Sequence, residues 1–134
     1  MIVDASLTVD WLIGAEASGE MDRLFSSAQL AAPALVRLEV ANALRNILAR
    51  RKMDKAFRDD CLKRFAALPL DLDDAAIRQA GVMDQVVTLS DRHGLTIYDA
   101  AYLELAIRTS SPLASFDQPL LAAAGREGVE TFTL

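Results

Sequence analysis

The sequence predicts an α/β fold in which helices cover both faces of a parallel sheet. Short apolar runs typical of buried strands alternate along the chain with stretches of helical periodicity. Two of the predicted strands lead to an aspartate, Asp4 and Asp117, at the edge where parallel sheets bind their ligands. A length of 134 residues suits one compact core. We therefore expect a single domain over residues 1–134.

The first predicted elements lie before residue 33. Residues 1–4 form an apolar first strand, and Ser6 can cap a short helix that Gly14 ends. A second helix is expected over residues 16–27, and residues 30–32 form a short second strand. The chain thus begins with a strand, two helices and a strand.

Two further helices are predicted between residues 33 and 68. Pro33 suits the first turn of the longer one. Its expected core-facing stripe is Leu35, Leu38, Ala41, Leu44 and Leu48. The next helix carries Phe57, Cys61, Leu62 and Phe65 at the same spacing.

The second half repeats the alternation of strands and helices. Residues 69–72 form the third strand, and Asp73 can cap a helix over residues 74–93 that Gly94 ends. The remaining predicted elements are a helix that starts at Thr96, a strand over residues 112–115, a helix over residues 117–125 and a strand over residues 129–133.

Composition excludes several classes of protein and of site. No apolar stretch approaches the ~20 residues of a membrane span, and the first residues lack the pattern of a signal peptide, so we expect a cytoplasmic protein. Cys61 is the only cysteine, which excludes an internal disulfide and a cysteine-based zinc site. His93 is the only histidine, which excludes a histidine-pair ribonuclease mechanism. A serine hydrolase triad would need His93 as its base.

Charge is distributed unevenly along the chain. The net charge is -5, yet residues 45–64 carry eight basic side chains against three acidic ones. We name residues 45–64 the basic sector; its bases are Arg45, Arg50, Arg51, Lys52, Lys55, Arg58, Lys63 and Arg64. Such a sector can bind a polyanion such as an RNA backbone, although two solvated helix faces would give the same count.

Four carboxylates lie in or beside apolar segments, at Asp4, Glu39, Asp99 and Asp117. Burial and mutual repulsion raise carboxylate pKa values, so such a cluster stays ionised near neutral pH most readily when it binds a cation. Oxygen ligands without cysteine favour hard cations such as Mg²⁺ or Mn²⁺. The four acids therefore predict a divalent metal site.

Some of these acids also have a purely structural interpretation. Asp117 can cap the helix that follows it, and Asp99 lies three residues after Thr96, the spacing of a capping box. Asp4 and Glu39 are harder to explain in this way, because both stand among apolar residues without an adjacent base.

Four segments carry a family resemblance. They are Ile2-Val3-Asp4-Ala5-Ser6, Leu38-Glu39-Val40-Ala41-Asn42-Ala43-Leu44, the run from Thr96 to Ala106 that contains Tyr-Asp-Ala-Ala-Tyr-Leu, and the run from Pro112 to Leu120 that contains Leu-Ala-Ser-Phe-Asp. With these segments the chain resembles the PIN-domain nucleases, most closely the VapC-type toxins of toxin-antitoxin pairs. Family members often have threonine where this chain has Ser115.

The resemblance implies a three-layer α/β/α fold with a central, mostly parallel five-stranded sheet. It implies metal-dependent hydrolysis of RNA that leaves a 5′-phosphate. Asp4, Asp99 and Asp117 would bind Mg²⁺ or Mn²⁺, and Glu39 would complete the cluster or orient the attacking water. The residues Ser6, Asn42 and Ser115 would support these acids. The implied partners are an RNA substrate, a small cognate antitoxin whose C-terminal segment covers the active groove, and a second copy of the chain.

Two other functions remain open on the sequence. A receiver-like or phosphatase-like signalling domain also binds magnesium at strand ends, but it expects further acids where this chain has Ala5 and Ser6. The third alternative is a catalytically silent interaction module with the PIN fold.

Overall fold

The computed structural model describes residues 1–14, 19–50 and 52–133. The predicted start of the second helix at Glu16 and Arg51 of the basic sector lie outside these residues.

The described residues form five strands in one sheet and eight helices. The strands are β1 (Ile2–Val3), β2 (Leu30–Pro33), β3 (Leu70–Asp73), β4 (Leu113–Ala114) and β5 (Thr131–Phe132). The helices are α1 (Ala5–Ile13), α2 (Gly19–Ser27), α3 (Val36–Ala49), α4 (Lys55–Ala67), α5 (Ala75–Arg78), α6 (Ala80–His93), α7 (Ile97–Arg108) and α8 (Gln118–Arg126). Every pair of neighbouring strands is parallel. The predicted α/β class and five-stranded sheet are therefore confirmed.

Helices lie on both faces of the sheet because side chains of β1 and β4 alternate between two apolar clusters. Ile2 pairs with Leu113, and both belong to the larger cluster. Val3 pairs with Ala114, and both belong to the smaller cluster. Helix α2 packs on the smaller cluster through Phe25, while buried residues of α7 fill the larger one. This arrangement gives the predicted three layers.

The order of strands across the sheet is β3-β2-β1-β4-β5. Strands β2 and β3 lie on one side of β1 within the sheet, and the chain then returns to place β4 and β5 on the other side of β1. The carboxyl ends of β1 and β4 therefore form the point where strand order reverses, which is the usual ligand site of an open parallel sheet. A receiver domain instead has the order 2-1-3-4-5, so the topology excludes that alternative.

Several predicted helix ends are confirmed. Gly14 and Gly94 adopt the left-handed conformation, with φ of 66° and 64°, and end α1 and α6. Thr96 caps α7 by accepting a hydrogen bond from the backbone N–H of Asp99.

The predicted start of α3 is wrong, and its predicted buried stripe is right at Leu44 but wrong at Leu38. Pro33 is the last residue of β2, where it pairs with Asp73, and α3 begins only at Val36. The fully buried residues of α3 are Val36, Val40 and Leu44, whereas Leu38 is 77% exposed. Apolar residues lie on two faces of this helix, and the face that contains Val36 and Val40 packs against the core.

The predicted helix over residues 74–93 is also wrong, because the chain forms two helices there. Gln79 has an extended backbone, with φ of -121° and ψ of 116°, and separates α5 from α6. Neither proline nor glycine stands at this position, so no local breaker explains the separation.

None of the described helices is long and apolar enough to cross a bilayer.

Candidate functional site

Asp4 directly follows β1 and is the N-cap of α1. Its Oδ1 accepts a hydrogen bond of 2.9 Å from the backbone N–H of Leu7. The predicted cap, Ser6, instead donates its hydroxyl to both oxygens of Asp4 at 2.9 Å. The prediction of Ser6 as the cap is therefore wrong. Asp4 immediately precedes the helix, so its carboxylate lies against the free N–H groups of the first turn.

Ser115 connects Asp4 with Asp117 across the two central strands. Its hydroxyl donates to Oδ2 of Asp4 and accepts a hydrogen bond of 2.9 Å from the backbone N–H of Asp117. Ser115 is only 1% exposed. Asp117 in turn caps α8, with its Oδ1 accepting from the backbone N–H of Leu120 at 2.8 Å. This chain of hydrogen bonds fixes the two acids relative to each other.

Glu39 and Asp99 lie in the first turns of α3 and α7. The Glu39 carboxylate accepts a hydrogen bond of 2.7 Å from the hydroxyl of Tyr102 on α7. This bond joins the first turn of α3 to the second turn of α7. The predicted placement, with two acids after strands and two in early helical turns, is confirmed.

Electrostatic coupling shows that all four carboxylates share one region. Burial raises the pKa of Asp4, and the charge of Asp117 raises it further against the hydrogen bonds from Ser115, Leu7 and Ser6. Burial likewise raises the pKa of Glu39 and of Asp99. The charges of Asp99 and Asp4 add to the shift at Glu39, while that of Asp117 adds to the shift at Asp99.

The chemistry of these donors fits a hard divalent cation. The site offers carboxylate oxygens whose pKa values are raised mainly by burial and further by the charges of neighbouring acids. In the described ranges, however, no three His, Cys, Asp or Glu side chains converge closely enough to hold an ion between them. Oxygens of Asp4 and Asp117 point instead at the N–H groups of their own helices.

Tyr102 is a site residue that sequence reasoning missed. It is fully buried, and burial together with the hydrogen bond to Glu39 raises its pKa far above the usual value. The phenol is therefore a permanent hydrogen-bond donor at neutral pH. Its spacing of three residues from Asp99 places both on one helix face, and this signal could have identified it.

The residues expected to support the acids differ in what they contact. Ser6 and Ser115 both donate to Asp4. Asn42 lies with Glu39 in a groove between α3 and α7, and none of the described hydrogen bonds joins it to the four acids. Its supporting role stays a prediction.

Replacing Tyr102 with Phe tests the link between α3 and α7. The ring keeps the packing while Glu39 loses a donor that favours its charged form, so we expect the pKa of Glu39 to rise further and stability to fall by about 1 kcal/mol. NMR titration of the Glu39 carboxyl carbon and thermal melting measure the two effects. Tyr98→Phe removes an exposed hydroxyl of the same helix and should change neither. An unaltered Glu39 titration in Tyr102→Phe would contradict the assignment.

Replacing Asp99 with Asn tests the cost of burying its charge, to which the charge of Asp117 adds. Because the folded-state pKa of Asp99 is raised, its charge destabilises the fold above that pKa, and the effect vanishes below the ordinary value of 3.8, where both states are protonated. We expect the metal-free variant to melt about 1–3 °C above wild type at neutral pH, with the gain shrinking as pH falls. The exposed Asp91→Asn serves as control. A lower Tm for Asp99→Asn at neutral pH would refute this cost.

Comparison with known proteins supports the family that the four segments indicated. A family model described as the PIN domain matches residues 1–126. Ribonuclease VapC1 of Mycobacterium tuberculosis is 33% identical over 125 residues, which cover 92% of this chain and 90% of the relative. Ribonuclease VapC3 of Pyrobaculum aerophilum is 31% identical over 125 residues, which cover 90% of this chain and 91% of the relative.

Two solved structures share the fold. The crystal structure of PAE2754 from Pyrobaculum aerophilum superposes with a TM-score of 0.73 at 25% identity, covering 97% of this chain and 81% of that one. The crystal structure of FitAcB from Neisseria gonorrhoeae gives a TM-score of 0.64 at 14% identity, covering 98% and 96%. The PIN-domain model matches residues 1–126, and the relatives at 31% and 33% identity are named VapC ribonucleases. The chain therefore belongs to the PIN-domain family.

Proposed function

We propose that this protein is a metal-dependent endoribonuclease, the toxin of a VapC-type toxin-antitoxin pair. The observation that carries the proposal is the coupling of four carboxylates at the carboxyl ends of β1 and β4 in a PIN-domain chain. The ribonuclease names of the relatives support the choice of RNA as substrate.

Asp4, Asp99 and Asp117 are the proposed ligands of Mg²⁺ or Mn²⁺, directly or through water. A bound divalent cation would neutralise the scissile phosphate, lower the pKa of a water and stabilise the leaving oxygen. The serine hydroxyls and the helix N–H groups keep the ligand carboxylates in place before the cation binds. This preorganisation is what the chain itself contributes to the metal site.

Glu39 is proposed to orient the attacking water and to accept its proton. Its raised pKa brings a carboxylate closer to the working pH, which suits a general base. Tyr102 keeps the carboxylate turned towards α7 and limits that rise through its hydrogen bond. The phenol is thus a positioning residue for the base.

The proposed partners follow from the family. We propose that a cognate antitoxin covers the site when RNA cleavage must be prevented. We also propose that the protein forms a homodimer and that it cleaves RNA in the cytoplasm. The described helices offer no membrane span that would oppose this.

Cleavage of single-stranded RNA by metal-stripped protein tests the function. We expect activity to return with Mg²⁺ or Mn²⁺, to return poorly with Ca²⁺, whose looser coordination misplaces the nucleophile, and to be lost with excess chelator. Asp4→Asn and Asp99→Asn should lower the cleavage rate by about a hundredfold or more while remaining folded.

The exposed Asp91→Asn is the matched control and should cleave like wild type. Undiminished cleavage in excess EDTA would refute the metal mechanism. Full activity of Asp99→Asn would show that Asp99 is not a metal ligand and has only a structural role in the first turn of α7. A folded wild-type protein without activity under any of these ions would favour the catalytically silent module.

The basic sector is proposed to bind the RNA backbone. Helix α3 carries Glu39 in its first turn, and Arg50 at its C-terminal end lies about 16 Å further along the helix axis. The side chains of Arg45, Arg50 and Lys55 are exposed. Two other bases are engaged within the fold: Arg58 pairs with Asp59, and Arg64 donates to the carbonyl of Leu12.

Reversing the charge of Arg45, Arg50 and Lys55 together to Glu tests this path. Loss of phosphate contacts should raise KM about tenfold at ~0.1 M salt and flatten the dependence of log KM on log salt by up to about 2. The value of kcat should change far less, because these contacts bind the ground and transition states alike. Arg23, Arg78 and Arg126 reversed together form the matched control elsewhere on the surface. An unchanged KM and salt slope would remove the basic sector from the RNA path.

A further inference from the structure

An open groove adjoins the acids between the first turns of α3 and α7. It has a volume of about 370 Å³ and is lined by Leu35, Leu38, Glu39, Asn42 and Tyr98. Glu39 belongs both to this groove and to the group of coupled carboxylates. The groove and the acidic site are therefore one continuous surface.

Two large side chains border the groove and remain exposed. Leu38 is 77% exposed, more than any other large hydrophobic residue in the described part of the chain, and Tyr98 is 61% exposed. Apolar surface placed together around a concave site is typical of a binding surface. Neither side chain is needed for the core, which α3 reaches through Val36 and Val40.

We propose that this groove binds one unpaired nucleobase of the RNA, next to the phosphodiester that is cleaved. The inference rests on the proposed ribonuclease function and adds a base-binding subsite to it. The ring of Tyr98 offers a face for stacking, and Leu38 offers an apolar wall. The amide of Asn42 has both a donor and an acceptor for the polar edge of a base. Tyr98 can therefore stack on an unpaired base while Asn42 forms hydrogen bonds with its polar edge.

Position favours a nucleobase over a segment of protein as the occupant. Any phosphodiester held at the four acids brings the bases of its own two nucleotides with it, because they are covalently attached. The groove shares Glu39 with those acids and is lined by the first turns of α3, the helix whose far end begins the basic sector. A base therefore reaches the groove without any partner beyond the substrate.

Two other depressions in the molecule lack this chemistry. Both border Glu127, whose carboxylate already accepts from Arg92 at 2.5 Å and pairs with His93 at 2.7 Å. In the second depression Glu104 is held by Arg108 at 2.7 Å. Glu127 and Glu104 are thus engaged in ion pairs, whereas the groove presents an exposed aromatic side chain beside the acids.

The test compares intact and abasic RNA. A short single-stranded RNA is built around a site that the wild-type protein cleaves in cellular RNA, together with versions that lack one base at a time near the cleaved bond. We expect Tyr98→Ala to lower kcat/KM on the intact RNA about tenfold and Tyr98→Phe to stay within about twofold of wild type. For one abasic position, wild type should lose about as much, and Tyr98→Ala should lose nothing further. Phe132→Ala, an exposed aromatic residue of β5, is the control.

Three results would overturn the subsite. Equal losses of Tyr98→Ala on intact and on every abasic RNA would show that Tyr98 contacts no base. Wild-type cleavage by Tyr98→Ala would leave the groove without a role in catalysis, and a simultaneous loss of affinity for a protein partner would assign it to that partner. A Tyr98→Phe variant as impaired as Tyr98→Ala would exclude stacking. Failure of the wild-type protein to cleave RNA with any divalent cation would instead refute the proposed function itself.

Discussion

The burial of negative charge is the constraint on which the arrangement of the site depends. Burial raises the pKa of Asp4, Glu39 and Asp99, and the charges of neighbouring acids add to these shifts. Each of the four acids stands at the N-terminal end of a helix, either as its cap or in its first turn. Helix N-termini carry partial positive charge. The fold thus brings four positive helix ends to the edge where the negative charge collects, which offsets part of the repulsion before any cation binds.

Capping and metal binding are compatible roles for the same carboxylate. Asp117 gives Oδ1 to the N–H of Leu120, and Asp4 accepts from Leu7, Ser6 and Ser115. An ionised carboxylate has about four acceptor positions, so the single cap bond at Asp117 leaves room for a further ligand. The structural interpretation of an aspartate at a helix start is therefore no argument against a catalytic one. Here the caps orient the acids, and the hydroxyl of Ser115 connects Asp4 with Asp117 across neighbouring strands.

The sequence predicts the sheet and the placement of the acids because both depend on local signals. Apolar runs that lead to Asp4 and Asp117 locate strand ends, and parallel strands bring their carboxyl ends together. The buried face of α3 was not predictable in this way. Apolar residues repeat with helical spacing on both the Leu38 face and the Val36 face, and periodicity alone does not choose between them. The break at Gln79 and the bond from Tyr102 to Glu39 also depend on tertiary packing.

The misassigned face of α3 is itself informative about function. A helix whose core contacts are complete without Leu38 has no structural reason to expose a large apolar side chain beside a charged site. Natural sequences depart from local rules mostly where binding or catalysis requires it. Helix α3 carries Glu39 in its first turn, one wall of the groove beside it, and the start of the basic sector at its far end. If the proposed roles hold, this single helix sets the distance between the cleaved bond, the bound base and the contacts to the RNA backbone.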